Sequence, residues 1–216
     1  MARSTSRRSR TLKPFLPLAA LALLVAAMAI DTTYLSPEEA AAVNPPPFEA
    51  SVYAAEAFPE IAALIEEEAT DIVELAPAIT EDPAAAAEAS GNDVGGGRYG
   101  FAVSATGKVA SVDEDFILLD VAGLPANSAV RIPVGRALSG TPIRDVTGTI
   151  GFGDFPGQSA YQSVANEFAL LMQSEVLAPA DPATLQDQEL TVVGAYVTGG
   201  PPDSYLIQPV SIEVGS

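Results

Sequence analysis

Two hydrophobic periods divide this chain, and the change from one to the other limits its architecture more than composition does. From Gly100 onward apolar residues alternate: Phe101–Val112 (broken by Gly107), Phe116–Val121, Ala129–Val134, Leu190–Val197 and Tyr205–Val214. Alternation of period two lines one face of a sheet and predicts five strands. Between the third and fourth lies a helical stretch, about Ser159–Val176, with Tyr161, Val164, Ala165, Phe168, Leu171 and Met172 at buried-face spacing. Ser159 with Gln162 is placed for a capping box there. Three strands, a helix and two strands, with a long bent first strand, is the order of an oligonucleotide/oligosaccharide-binding (OB) type Greek-key barrel. The fold class is therefore α+β.

Upstream of Gly91 the spacing is helical. Ser36-Pro37-Glu38-Glu39 reads as an N-cap, a proline at the first helical position and a capping box, for a helix that ends at Asn44-Pro45-Pro46-Pro47. A longer helical zone starts near Ser51 and is interrupted at Pro59, with Phe58, Ile61, Leu64, Ile72, Val73 and Leu75 as one apolar face. Asp82-Pro83 caps an alanine-rich helix closing at Gly91. Three regions follow: a signal-anchor or transmembrane segment (1–30), an acidic, Ala-rich helical region (31–97) and a small β-barrel (98–216).

Charge separates the first region from the rest. Arg3, Arg7, Arg8, Arg10 and Lys13 precede the uncharged run Pro14–Ile30, and all 28 acids come after it, against 5 remaining cations. This polarity leaves the N-terminus in the cytoplasm and the acidic body outside. As a helix, the 17 residues span about 26 Å, short of a hydrocarbon core of about 30 Å but feasible as an inner-membrane single-pass anchor. The alternative is cleavage after Ala29, at the small-x-small site Ala27-Met28-Ala29, and release into the periplasm. So acidic a body repels phosphate backbones, which excludes nucleic acid as a partner. The chain has no Cys and no His, so disulfides, thiolate nucleophiles, the usual zinc ligand sets and Ser-His-Asp triads are absent. No cofactor and no metal site are expected.

Four stretches invite a functional reading. Gly95-Gly96-Gly97-Arg98-Tyr99-Gly100 contains G-x-G-x-x-G, but it follows a helix and precedes a strand, the reverse of a dinucleotide site, and reads as a flexible joint. Asp113-Glu114-Asp115 lacks the ligand order of a calcium loop and reads as a solvated turn between strands. Arg131, Arg136 and Arg144 are rare cations, one or two of which should pair with carboxylates, while Arg131 on the third strand is also placed to meet an anionic ligand. The richest stretch is Gly151–Tyr161. Asp154, Gln158 and Tyr161 over an aromatic floor of Phe152 and Phe155 suit a sugar or small polar ligand; alternatively the two phenylalanines plug the barrel end and Asp154 caps loop amides. The ligand-binding candidates are Asp154, Gln158, Tyr161, Phe152, Phe155 and Arg131, with no catalytic residue, since no second acid accompanies Asp154.

The chain as a whole resembles the domain of unknown function family 2291 (DUF2291), described as predicted periplasmic lipoproteins. The resemblance rests on Pro37–Ala42, Phe48–Tyr53, Phe58-Pro59, Asp82–Ala86 and Gly97–Phe101, and above all on Phe152, Asp154, Phe155, Gln158, Tyr161, Val164, Ala165 and Asn166 in their spacing. Gly194-Ala195-Tyr196 and Ile207–Val210 complete it. It implies an extracytoplasmic location, with genes often near those of sugar ABC transporters, and brings no activity; the missing Cys rules out lipid attachment within these residues. The expected role is a non-catalytic binding or accessory module, held at the membrane by its N-terminal segment, with sugar ABC transporter components or a small polar ligand as partners. A hydrolase using Asp154 with Tyr161 and a purely structural envelope spacer are the alternatives.

Overall fold

The computed structural model describes residues 16–31, 36–43, 47–125 and 127–215, in two compact units, 1–47 and 48–216. The basic stretch Arg3–Lys13 and the prolines Pro45-Pro46 lie outside the described residues. In the first unit, α1 (Leu16–Asp31) is followed by α2 (Pro37–Val43). The predicted capping box of α2 forms: the Glu39 amide donates to Ser36 Oγ at 3.2 Å and the Ser36 amide to Glu39 Oε2 at 2.8 Å. These bonds satisfy amides that no helical carbonyl reaches, and they hold the Glu39 carboxyl below its usual range. No helix of the described residues is long and apolar enough to cross a membrane. The transmembrane anchor expected over Pro14–Ile30 thus gains no support from α1, whose 16 residues reach about 24 Å before Asp31.

In the second unit, α3 (Ala50–Glu68), β1 (Thr70–Asp71), α4 (Ile72–Glu81) and α5 (Pro83–Ser90) lead into β2 (Asn92–Gly95) and β3 (Arg98–Val112). Then come β4 (Phe116–Asp120), β5 (Ala129–Pro133), α6 (Thr141–Asp145), α7 (Gln158–Leu171), a π-helical turn Met172–Leu177, β6 (Glu189–Val197) and β7 (Ser204–Val214). All five predicted barrel strands are present. β3 pairs with β4 through its C-terminal half and with β6 from Gly100 to Lys108; β4 pairs with β5, β5 runs parallel to β7, and β7 returns to β6. The ladder β3-β4-β5-β7-β6-β3 closes into a five-stranded barrel with no free edge along that path.

Closure produces two cores. The barrel interior buries Phe101, Val103, Ile117, Leu119, Ile132 and Ile207 together with α4 and α5. A second core lies on the outer face of β3, β6 and β7, where Ala102, Ala195 and Val210 meet α3, α6 and α7. This division corrects the reading of the upstream helices. α3 runs unbroken through Pro59, and its buried face is Ala54, Phe58, Ile61 and Ile65, with Leu64 only half-buried. Ile72, Val73 and Leu75 belong to α4 and to the other core. Pro59 is exposed, and burial of the apolar stripe on both sides of it offsets the missing amide hydrogen bond.

Two further expectations change. Gly95, Gly96 and Gly97, with φ of 88°, 67° and 72°, form the turn of a β2–β3 hairpin and not a joint between domains. Residues 48–97 accordingly belong to one compact unit with the barrel, and the boundary falls at Pro47. α7 starts at Gln158 with Gly157 as its unbonded N-cap, so the Ser159–Gln162 box does not form. Asp82, by contrast, accepts from the amides of Ala84 and Ala85 as predicted.

Ile65→Ala should cost about 2–5 kcal/mol of unfolding free energy, as for a fully buried aliphatic side chain, and Leu64→Ala clearly less. Chaotrope titration of the two variants measures the difference; equal losses would contradict the assigned face of α3.

Candidate functional site

The stretch Gly151–Tyr161 forms a short 3-10 turn (Phe152–Asp154) leading into α7. Phe155 is buried against Phe48 (ring centroids 5.5 Å apart) and Tyr53 (5.1 Å), both edge-on, and lies 5.4 Å from Tyr161. Phe152 stays 52% exposed and touches Tyr161 edge-on at 5.5 Å. These rings close the rim of the second core; they do not plug the barrel. Asp154 Oδ2 accepts the Gly151 amide at 2.8 Å, capping its own loop. Its charge adds to burial, the larger cause, in raising the Tyr53 phenol above the ordinary range. Gln158 is exposed and borders a shallow cleft of about 410 Å³ with Phe48 and Ala50.

Tyr161 is turned away from Asp154. Its hydroxyl donates to Asp145 Oδ1 at 2.9 Å, while Arg144 binds the same carboxylate through Nε (2.6 Å) and Nη2 (3.0 Å). Arg144 Nη1 donates to the Tyr161 carbonyl at 2.9 Å, and its guanidinium lies 3.4 Å from the Tyr161 ring centroid. Burial, followed by the hydrogen bond to Asp145 and its charge, raises the Tyr161 phenol above its ordinary value. Gly140 lets α6 sit this close to α7, because a Cβ there would lie 1.9 Å from the Ala165 carbonyl oxygen. Every polar group in this cluster is engaged, which makes it a clamp between α6 and α7. The structure therefore does not bring Asp154, Gln158 and Tyr161 into one pocket, and it supplies Asp154 with no second carboxylate in hydrogen-bonding contact.

Arg131 lies elsewhere, on the outer face of the barrel. It lines a groove of about 440 Å³ with Arg98, Phe116, Ser139, Leu206 and Gln208, roofed by the loop Thr198–Pro201 between β6 and β7. The guanidinium of Arg131 sits over the Phe116 ring, 5.6 Å from its centroid. Gln208, 2% exposed, accepts the Ser139 amide through Oε1 at 3.0 Å; its Nε2 has no hydrogen-bond partner among the described residues and is not sealed from solvent. Leu206 supplies an exposed apolar patch. The nearest charge influence on Arg131 is the exposed Asp113. Its carboxyl is held below the usual range by the amides of Asp115 and Phe116, with a smaller contribution from Arg131. That bonding also fulfils the turn expected at Asp113-Glu114-Asp115. Sequence reasoning named Arg131 alone of these residues; Arg98 and Gln208 belonged to motifs, and only strand pairing brings them to one face.

Of the five cations after residue 31, Lys108 pairs with Asp187 at 3.0 Å and Arg144 with Asp145. Arg98, Arg131 and Arg136 make no ion pair among the described residues. No group of three or more acids is arranged there to hold a metal ion.

The family model for DUF2291, predicted periplasmic lipoprotein, matches residues 18–213. The chain belongs to the DUF2291 family. Membership supports an extracytoplasmic location, although residues 1–216 of this member hold no cysteine to acylate. Among solved structures, an OB-fold protein from Thermotoga maritima is similar with a TM-score of 0.63, at 17% identity, over 79% of this chain and all of that one. At that identity the likeness establishes the OB fold alone. No curated protein matches the chain.

Arg144→Ala should destabilise this DUF2291 protein by about 3 kcal/mol, because it leaves the half-buried Asp145 carboxylate unpaired, whereas Asp154→Asn should change stability by no more than about 0.5 kcal/mol. Thermal unfolding of both variants checks the contrast. A second measurement concerns Tyr196 in the barrel interior, where burial first and the neighbouring Tyr205 second push its pKa up to about 12. The unfolded chain releases that proton near pH 10. Stability from this residue is thus intact below pH 10 and lost as the pH climbs towards 12. Tyr196→Phe should flatten the alkaline fall in unfolding free energy.

Proposed function

We propose that this protein is an extracytoplasmic, non-catalytic binding module that serves solute uptake, and that its ligand site is the groove on the outer face of β4, β5 and β7. One observation carries the reading: in a chain with 28 acids and 10 cations, no Asp or Glu lines the groove, which instead gathers two arginines, an open amide and an apolar patch. A cavity of this size with a few convergent polar groups is the usual form of a small-molecule site. The engaged state of Tyr161 and the loop-capping state of Asp154 favour binding over the hydrolytic alternative, since neither group is left in position to move a proton on a shared substrate. The DUF2291 match and the cationic, then apolar N-terminus support export, with cleavage after Ala29 as the processing step.

The full-length chain, tagged at its C-terminus and expressed in its own envelope, tests the role and the address together. Affinity capture after mild solubilisation should recover a component of a solute transporter, and recovery that is absent or identical to an untagged control counts against the uptake role. Intact mass of the captured protein should show loss of residues 1–29; a mass that retains them replaces processing with a retained N-terminal segment.

A further inference from the structure

The donor balance of the groove defines the charge of what it binds. Two guanidinium groups, Arg98 and Arg131, border it, together with the unpartnered Nε2 of the otherwise buried Gln208. All three are hydrogen-bond donors, and no carboxylate lines the same space. Elsewhere in the second unit cations are partnered: Lys108 and Arg144 each hold an aspartate. Two of the three arginines left without an ion pair thus converge on one cavity, although acids outnumber bases throughout the body.

Packing positions them. Arg131 pairs with Leu206 across the parallel β5–β7 ladder, and its stacking over Phe116 fixes the guanidinium above the outer face of β4. Arg98 opens β3 beside the β6–β7 loop; a Cβ on Gly199 would come within 3.2 Å of its side chain. At that corner the Tyr99 amide donates to Thr198 Oγ1 at 2.9 Å and the Thr198 amide to the Tyr99 carbonyl at 2.9 Å, so the loop is tied to the strand that carries Arg98. Gln208 is oriented by the Ser139 amide, which occupies its oxygen and leaves its nitrogen to the groove.

We infer that the groove is a site for a small solute bearing a single carboxylate, held by Arg98 and Arg131, with Gln208 Nε2 donating to a neutral oxygen and Leu206 covering an apolar face. The inference deepens the binding-module reading and rests on it. A planar guanidinium matches a carboxylate in two parallel hydrogen bonds. The acidic surroundings disfavour every anion in proportion to its charge, so a monoanion is preferred over a phosphate dianion.

Galacturonate and galactose, which differ at C6 by a carboxylate in place of a hydroxymethyl group, are the probes, with inorganic phosphate as the third arm. In the ¹⁵N-labelled full-length chain, galacturonate should shift the Nε–Hε signals of Arg98 and Arg131 saturably, and more weakly as salt is raised. Galactose and phosphate should bind at least tenfold more weakly. Arg98→Gln and Arg131→Gln, both at exposed positions, should each weaken galacturonate binding by about tenfold or more without altering the thermal midpoint. Equal binding of galactose and galacturonate in the groove would overturn the carboxylate assignment and leave the binding-module reading standing. Tighter binding of phosphate would overturn the preference for a monoanion. Galacturonate binding that neither variant weakens, or no saturable shift of either arginine with any of the three probes, would overturn the site itself.

Discussion

Closure of the ladder by β3 is the constraint on which the rest of the structure depends. The strand is 15 residues long and serves two partners, β6 along its first part and β4 along its last, with Gly107 and Lys108 in the region where the pairings overlap. A Cβ at Gly107 would lie 2.5 Å from the Asp120 carbonyl oxygen, so only glycine permits the close passage of β4 at that bend. Once the strand bends, its alternation assigns Phe101, Val103 and Ala105 to the barrel interior and Ala102 to the outside. Both cores follow from that single geometry, one enclosed by the sheet and the other laid on its back.

The outer core explains why so many aromatic and polar groups cluster around Gly151–Tyr161. Two helices, α3 and α7, must be seated on a curved sheet face, and α6 has to be held against α7 at close range. The Arg144–Asp145 pair and the Tyr161 hydroxyl fasten that contact, and Phe155 with Phe48 and Tyr53 closes its rim. A sequence stretch dense in chemically capable residues can therefore be dense for architectural reasons. The groove around Arg131 has the opposite character: its residues are scattered along the chain, and its polar groups are left open.

This contrast accounts for what the sequence made legible. Strand and helix existence, the Ser36 and Asp82 caps and the OB topology are local or periodic properties, and they emerged from spacing alone. The assignment of Leu64 in place of Ile65 failed because Pro59 suggested a break in phase, whereas the helix continues through it and keeps its 54-58-61-65 stripe. Gly95–Gly97 was read as a joint because β2 is too short to announce itself, and its pairing with β3 is what turns those glycines into a hairpin. Arg98 and Gln208 were invisible as site residues, since nothing near either one signals the other. Only the pairing of β3, β6 and β7 relates them.

The π-helical turn at Met172–Leu177 has a further consequence. Val176 is buried in the outer core and Leu177 in the barrel, so neighbouring residues serve opposite faces of one wall. Each residue of a regular helix advances by about 100° around the axis. Excising one residue from this turn would restore ordinary winding and swing everything downstream by that angle, trading one interior for the other. Substitutions are tolerable in such a segment while changes of length are not, so the turn behaves as a reading frame for the two interiors.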